Sequence, residues 1–267
     1  MTRRLDWAAF RAPEFATVDP RRTVAILPTA AVEQHGPHLP VGVDMMIAEG
    51  MLATLRRLCP ADLDLRILPV QAVGKSNEHL WAAGTLTLSA ETALRAWVEI
   101  GLSVARAGVR KIALVNSHGG NLDLISIVAR ELRVQAGMLA VKTQWAGFGA
   151  PEGLYPPAED RFGIHGGDQE TSLMLHFHPD LVDMAAAGDF RSTAETTAIP
   201  PVGPTALGWV ASDLNPAGVV GNAAAATAEK GRATAAHQVQ GLIGLLRDLA
   251  ALPLDGIAPT PAPRARP

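Results

Sequence analysis

The stretch TVAILPTAAVEQHGPHLPVGVD, residues 23–44, runs from an apolar segment directly into Glu33, His35, His38 and Asp44. Its first part, TVAILPTA (23–30), is short and aliphatic with no helical period, which reads as a strand buried on both faces. Open α/β sheets build their sites where strands end, because loops converge there and helix N-termini point inward. Glu33 and His35 stand at such an end, and their i, i+2 spacing puts both side chains on one face of an extended segment. Pro37 and Pro40 stiffen the loop that returns Asp44 at the start of the next helix.

The same strand character recurs in LDLRILPVQAV (63–73), KIALVNS (111–117) and MLAVKTQW (138–145). Between these segments the apolar periodicity predicts helices over 44–58, 89–107 and 121–136. The last opens with Asn121 as an N-cap and turns Leu122, Ile125, Ile127, Val128 and Leu132 toward a core. This alternation predicts an α/β fold with a mostly parallel sheet covered on both faces. Residues 150–162 and 190–221 are rich in Pro and Gly and read as long loops near the site, and 223–252 reads as a long C-terminal helix. One folded unit over 1–251, followed by a flexible Pro-rich tail over 252–267, is the expected organisation.

Composition narrows the partners. The 23 basic and 26 acidic residues leave a net charge of −3 with no basic block, which argues against a nucleic-acid or anionic-membrane footprint. The N-terminal MTRRLDWAAFRAPEF lacks the apolar core of a signal peptide, and no segment approaches a membrane span. The single cysteine, Cys59, permits no internal disulfide, so a reducing, cytoplasmic setting is expected.

KIALVNS leads into His118, Gly119, Gly120 and Asn121, which brings an imidazole to a level comparable with Glu33. Carboxylates mixed with imidazoles suit Zn²⁺, Mn²⁺ or Fe²⁺, and a carboxylate can bridge two ions. A further segment, HGGDQETSLMLHFHP (165–179), adds His165, Asp168 and Glu170. Glu170 opens a helix whose Leu173, Met174 and Phe177 face the core, and it is the carboxylate that completes the set. Asp168 is expected at solvent or positioning a loop, His38 as a cap or brace for its loop, and His176, His178 and His237 as ordinary packing or surface residues. The GKS at 74–76 is not a phosphate loop, because Pro69 stands where its first glycine is required.

Five blocks, EQHGPHLPVGVD (33–44), GKSNEH with a following GT (74–79, 84–85), VNSHGGN (115–121), HGGDQETS (165–172) and GVVGNAAAATAEKG (218–231), resemble the creatininase family in its own order. The resemblance implies a three-layer α/β/α fold, a homo-oligomer that is often a hexamer, and two divalent ions per subunit, zinc ahead of manganese or iron. It implies Glu33, Asp44 and His118 on one ion, with His35, Asp44 and a further glutamate on the other, so that Asp44 bridges. A hydroxide held between the ions would then attack a small-molecule amide carbonyl. His165 takes the role of general acid, and Glu170 joins it in the candidate catalytic set.

Ser76, Gly119, Gly120 and Trp145 fall at substrate-contacting positions of the same pattern. Where creatininase has a tyrosine and a metal-binding glutamate, this chain has Gly119 and Gly120, and Arg161 and Phe162 also depart from it. Those glycines are expected to open space, which favours Glu170 as the missing ligand and disfavours creatinine. Expected substrates are a small cyclic amide, a lactam or a formamide. The alternatives are a relative that trims a peptide-derived redox cofactor, or a metal-binding protein without turnover.

Overall fold

The computed structural model describes residues 3–255, so residues 256–267 of the expected tail lie outside the described residues. Four strands form one parallel sheet in the order β2-β1-β3-β4: β1 (Val24–Thr29), β2 (Leu65–Ile67), β3 (Lys111–Asn116) and β4 (Leu139–Gln144). The three longer helices expected between them are α1 (Val43–Leu58), α2 (Ala90–Arg106) and α3 (Leu122–Ala136). Two short helices and two long ones complete the set: α4 (Pro157–Phe162), α5 (Asp168–Phe177), α6 (Ala211–Leu214) and α7 (Ala228–Ala251).

Strand periodicity divides the core into two layers. Val24 and Ile26 of β1 and Ala113 and Val115 of β3 pack with Met51, Leu52, Leu173, Val239 and Leu246, on the side of α1, α5 and α7. Ala25, Leu27, Ile112 and Leu114 point the other way, onto Trp97, Val104, Val128 and Leu132 of α2 and α3. Successive residues of a strand face opposite sides, so a fully apolar β1 is what a sheet covered twice requires. The result is the three-layer α/β/α sandwich.

Several local readings need correction. The strand expected over 63–73 is regular only at Leu65–Ile67, because Pro69 has no N–H for the ladder. Beyond it, Gln71 still pairs with β1 through a single bridge at Thr29. Strand β4 is an edge strand of intermediate burial with Lys142 exposed, and not a fully buried one. Asn121 makes no capping bond; its amide reaches Ala30 and Asn116, while Ile127 is exposed. The cap of α7 is Thr227, which accepts from Lys230 N–H, so that helix starts later than 223. The loops over 150–162 and 190–221 contain α4, α6 and the two-stranded pair β5 (Asp189–Phe190) and β6 (Gly221–Asn222).

Connectivity places the site. From β1 the chain passes through α1 to β2 on one side, and β3 lies on the other, so the crevice at the C-terminal ends of β1 and β3 is the switch point of the sheet. Glu33 follows β1 and His118 follows β3.

Candidate metal centre and active site

Glu33, His35, Asp44 and His118 meet at this crevice, all with 5% or less of their surface exposed. His118 Nδ1 lies 3.2 Å from Glu33 Oε1 and 4.0 Å from Asp44 Oδ2. His35 Nε2 lies 3.9 Å from Asp44 Oδ2 and 3.7 Å from Glu170 Oε2. Asp44 therefore stands between two clusters, with Glu33 and His118 on one side and His35 and Glu170 on the other. Glu170 is held by the Gly166 N–H, 2.5 Å from its Oε2.

Hydrogen bonds to backbone carbonyls orient the rings. His35 Nδ1 donates to Glu33 O at 3.0 Å, which leaves the Nε2 lone pair facing Asp44 and Glu170. His118 Nε2 donates to Lys75 O at 2.9 Å, which leaves Nδ1 facing Glu33. His165 Nε2 donates to Gln34 O at 2.8 Å, and its Nδ1 stands 3.5 Å from Glu33 Oε1. His35 and His165 present a lone pair to the carboxylates, and His118 does so at Nδ1 once that nitrogen gives up its proton.

Buried polar atoms normally have partners. Here Glu33 Oε1 and Oε2, His35 Nε2 and Asp44 Oδ2 are buried with none. Orphaned carboxylate oxygens facing imidazole lone pairs are what a divalent cation satisfies, so the donor set fits the expected ions. Charge agrees. Burial first, then the neighbouring Glu33, pushes the Asp44 carboxyl well above its usual range. Burial opposes ionisation of Glu33 too, but His118 together with His165 and His35 outweighs it and holds that carboxyl well below its usual range. His118 is raised in turn by Glu33 against its own burial, and the proton it would carry is the one a metal displaces. His35, His79 and His165 are each pushed down to about 4, first by burial, and are neutral at pH 7.

The remaining expected site residues are dispersed. Gly119 opens on the cleft, with nothing near a would-be Cβ. Gly120 also lines it, but the room beside Gly120 is filled by the Glu78 carboxylate, whose Oε1 sits 3.5 Å from His118 Nε2. The expectation that both glycines open space thus holds only for Gly119. Ser76 is fully buried behind His118, with Oγ 3.3 Å from Nε2. Trp145 is buried in the core and borders a separate cavity of about 50 Å³ that also touches Glu170. Asp168 is not at solvent: it is 1% exposed and ion-paired with Lys230 at 2.5 Å, a partner from α7. His38 braces its loop as expected, through Thr171 Oγ1 at 2.9 Å.

Gln34, Glu78 and His79 were not anticipated, whereas the loop expected near the site over 190–221 does supply a wall, residues 201–210. Glu78 and His79 repeat the carboxylate–imidazole pairing of Glu33 and His35 inside GKSNEH, and that was the available signal. His79 Nε2 stands 3.4 Å from Glu33 Oε1, and the ring stacks on His165 at 4.3 Å, while His35 covers the other side of His165 at 4.1 Å. The 201–210 segment, with Val202, Leu207, Trp209 and Val210, closes an open cleft of about 440 Å³ over the acidic cluster.

Known proteins are similar to this chain in sequence and fold. The chain is 31% identical over 222 residues to the mycofactocin precursor peptide peptidase of Mycolicibacterium smegmatis, covering 82% of each. It is 30% identical over 242 residues to the creatinine amidohydrolase of Pseudomonas putida, covering 84% of this chain and 89% of that one. A solved mutant creatininase of the Zn–Zn type superposes with a TM-score of 0.73 at 26% identity, covering 91% of this chain and 97% of that one. A family model described as creatinine amidohydrolase matches residues 8–246, and the chain belongs to the creatininase family of metal-dependent amidohydrolases.

Proposed function

We propose that this protein hydrolyses an amide bond in a substrate with a peptide-like body larger than creatinine. The observation that carries this is the cleft: about 440 Å³, open at Gly119 and walled by Val202, Leu207 and Trp209, in the size range of sites for ligands well beyond a small ring. The relative that acts on a precursor peptide supports the same reading. The small cyclic amide or formamide is the narrower alternative, since a small ring would leave the apolar wall untouched.

Glu33, Asp44 and His118 would hold one divalent ion, and His35, Asp44 and Glu170 a second. When bound, such ions lower the pKa of water and polarise a carbonyl. His165 is neutral at pH 7 and points its Nδ1 lone pair at the same carboxylates. It is therefore set to take a proton from the attacking water and hand it to the leaving nitrogen, a base before it is an acid. Lys75 is the one lysine or arginine lining the cleft among the described residues; its Nζ lies 3.4 Å from Glu78 Oε2, and a carboxylate of the substrate would share it with Glu78. A homo-oligomer belongs to this reading through the family resemblance and a cytoplasmic setting through the single cysteine, Cys59; no described helix is long and apolar enough to cross a membrane.

The test is a panel assay of protein loaded with Zn²⁺ or Mn²⁺ against creatinine, a lactam, a formamide and short peptides ending in apolar residues. Peptide cleavage with weak creatinine turnover is expected. Creatinine hydrolysis with kcat/KM above about 10⁴ M⁻¹s⁻¹, the ordinary range of a true substrate, would overturn the proposal.

A further inference from the structure

Gln34 lies between two of the metal-site residues yet points away from them. An extended segment turns alternate side chains to opposite faces, so Glu33 and His35 enter the site while Gln34 runs behind it. There it is 7% exposed and every polar atom of its amide is committed. Oε1 accepts the Gly36 N–H at 2.9 Å. Nε2 donates to Gly218 O at 2.8 Å and contacts His79 Nδ1 at 2.8 Å.

Proton accounting fixes what those contacts are. A backbone carbonyl only accepts and a backbone N–H only donates, so Gly36 and Gly218 leave one orientation for the amide. One Nε2 hydrogen goes to Gly218 O and the other to His79 Nδ1. His79 Nδ1 is therefore the acceptor, and a neutral His79 carries its proton on Nε2, the atom that faces Glu33 Oε1 at 3.4 Å. Gln34 Nε2 also stands 3.2 Å from His165 Nε2, but it has no third hydrogen, and the Gln34 carbonyl 2.8 Å from that nitrogen requires the proton to lie there. The side chain of Gln34 thus sets one histidine and its backbone carbonyl sets another, with opposite results. His165 turns a lone pair toward Glu33, and His79 turns a proton toward it.

The seat of this amide is itself built. Gly218 has φ +74°, and a Cβ there would lie 2.5 Å from Gln34 Oε1, so only glycine lets the 215–218 turn close on the amide. Gly36 has φ +74° as well, and a Cβ on it would collide with Val219.

We propose that Gln34 is a positioning residue that holds His79 in the Nε2–H tautomer, so that His79 keeps a protonated nitrogen beside the Glu33 carboxylate and is not itself a metal ligand. The inference rests on the metal-site reading above and on no particular substrate. It separates His79 from His35 and His118, although Glu33, His79 and His165 stand close enough together to suggest a third site. Partners of this kind, one step removed from the metal, commonly alter metal affinity or activity by about 10- to 100-fold.

The decisive measurement is ¹⁵N NMR of the histidine side chains in Zn-loaded protein, with His79 assigned by the signals that vanish in H79Q. Wild type should show His79 with Nε2 protonated and Nδ1 bare. Q34L, which removes the donor, should let the Nδ1–H form appear and weaken Zn²⁺ binding by about 10- to 100-fold. H79Q can return an amide N–H toward Glu33 and should retain more Zn²⁺ affinity than H79N, which cannot reach as far. An Nδ1–H tautomer in wild type, or unchanged His79 signals and Zn²⁺ affinity in Q34L, would overturn the assignment. With H79Q or H79N, whichever folds, supplying the assignment, the wild-type spectrum decides the tautomer even if Q34L fails to fold, and none of these readouts depends on finding a substrate.

Discussion

The Glu78 carboxylate occupies the space a Cβ on Gly120 would need, and this packs Oε1 against the back of His118. The same Cβ would also press on Lys75 O and lie 2.5 Å from His118 Nε2. Gly120 is thus retained for closeness of packing, whereas its neighbour Gly119 meets nothing within 4 Å. G119A should change stability by no more than about 0.5 kcal/mol. G120A should cost about 1–3 kcal/mol as an overpacked site and displace His118. Urea unfolding of the pair, with zinc content, checks this; equal stabilities would contradict the packing.

Asp44 stands between both clusters, so D44A should strip both ions, whereas E170Q should weaken chiefly the one at His35. Elemental analysis of the purified variants reads the difference directly. If D44A retained two metals per chain, the bridging role would be lost.

The metal-free protein carries orphaned carboxylate oxygens on Glu33 and Asp44 in a buried cluster. Burial first, then Glu33, pushes the Asp44 carboxyl well above its usual range, so at neutral pH folding must place or keep a proton there at a cost in stability. D44N removes that cost, so D44N without metal should melt above wild type without metal, the reverse of their order when Zn²⁺ is present. Free Zn²⁺ at a hundredfold excess over Kd should add about 2.7 kcal/mol per site to wild type alone. Thermal melts with chelator and with metal test both arms.

His165 is expected to act on protons and not to hold metal. H165N should keep near-wild-type metal content while turnover falls by roughly 10² to 10⁴. Loss of metal would make it a ligand instead.

Asp168 is buried against Lys230, so K230M should leave an unpaired buried carboxylate and cost about 1–3 kcal/mol. The double variant D168N/K230M should recover part of that loss, because the remaining amide carries no charge. Chemical denaturation of the two would show additive losses if the pair were unimportant.

Much of the architecture is local information. The apolar run at 23–30 and the spacing of Glu33, His35 and Asp44 are properties of consecutive residues, and strand periodicity with strand-end chemistry could be read from them without coordinates. The parallel sheet covered on both faces followed from the same alternation, while the spatial order β2-β1-β3-β4 came only with the fold; Glu170 was reachable as a carboxylate at the start of an amphipathic helix. Other features depend on which distant segments meet. Asp168 looked like a surface acid because its partner Lys230 is 62 positions further along. Gly120 looked like open space because nothing near it in sequence shows that Glu78 folds back beside His118. The tautomers of His79 and His165 rest on where the carbonyls of Gly218 and Gln34 fall around one amide. Residue type and spacing can place metal-grade side chains at one end of a sheet, but a proton's position on an imidazole is set by the atom opposite it, and only the folded chain brings that atom there.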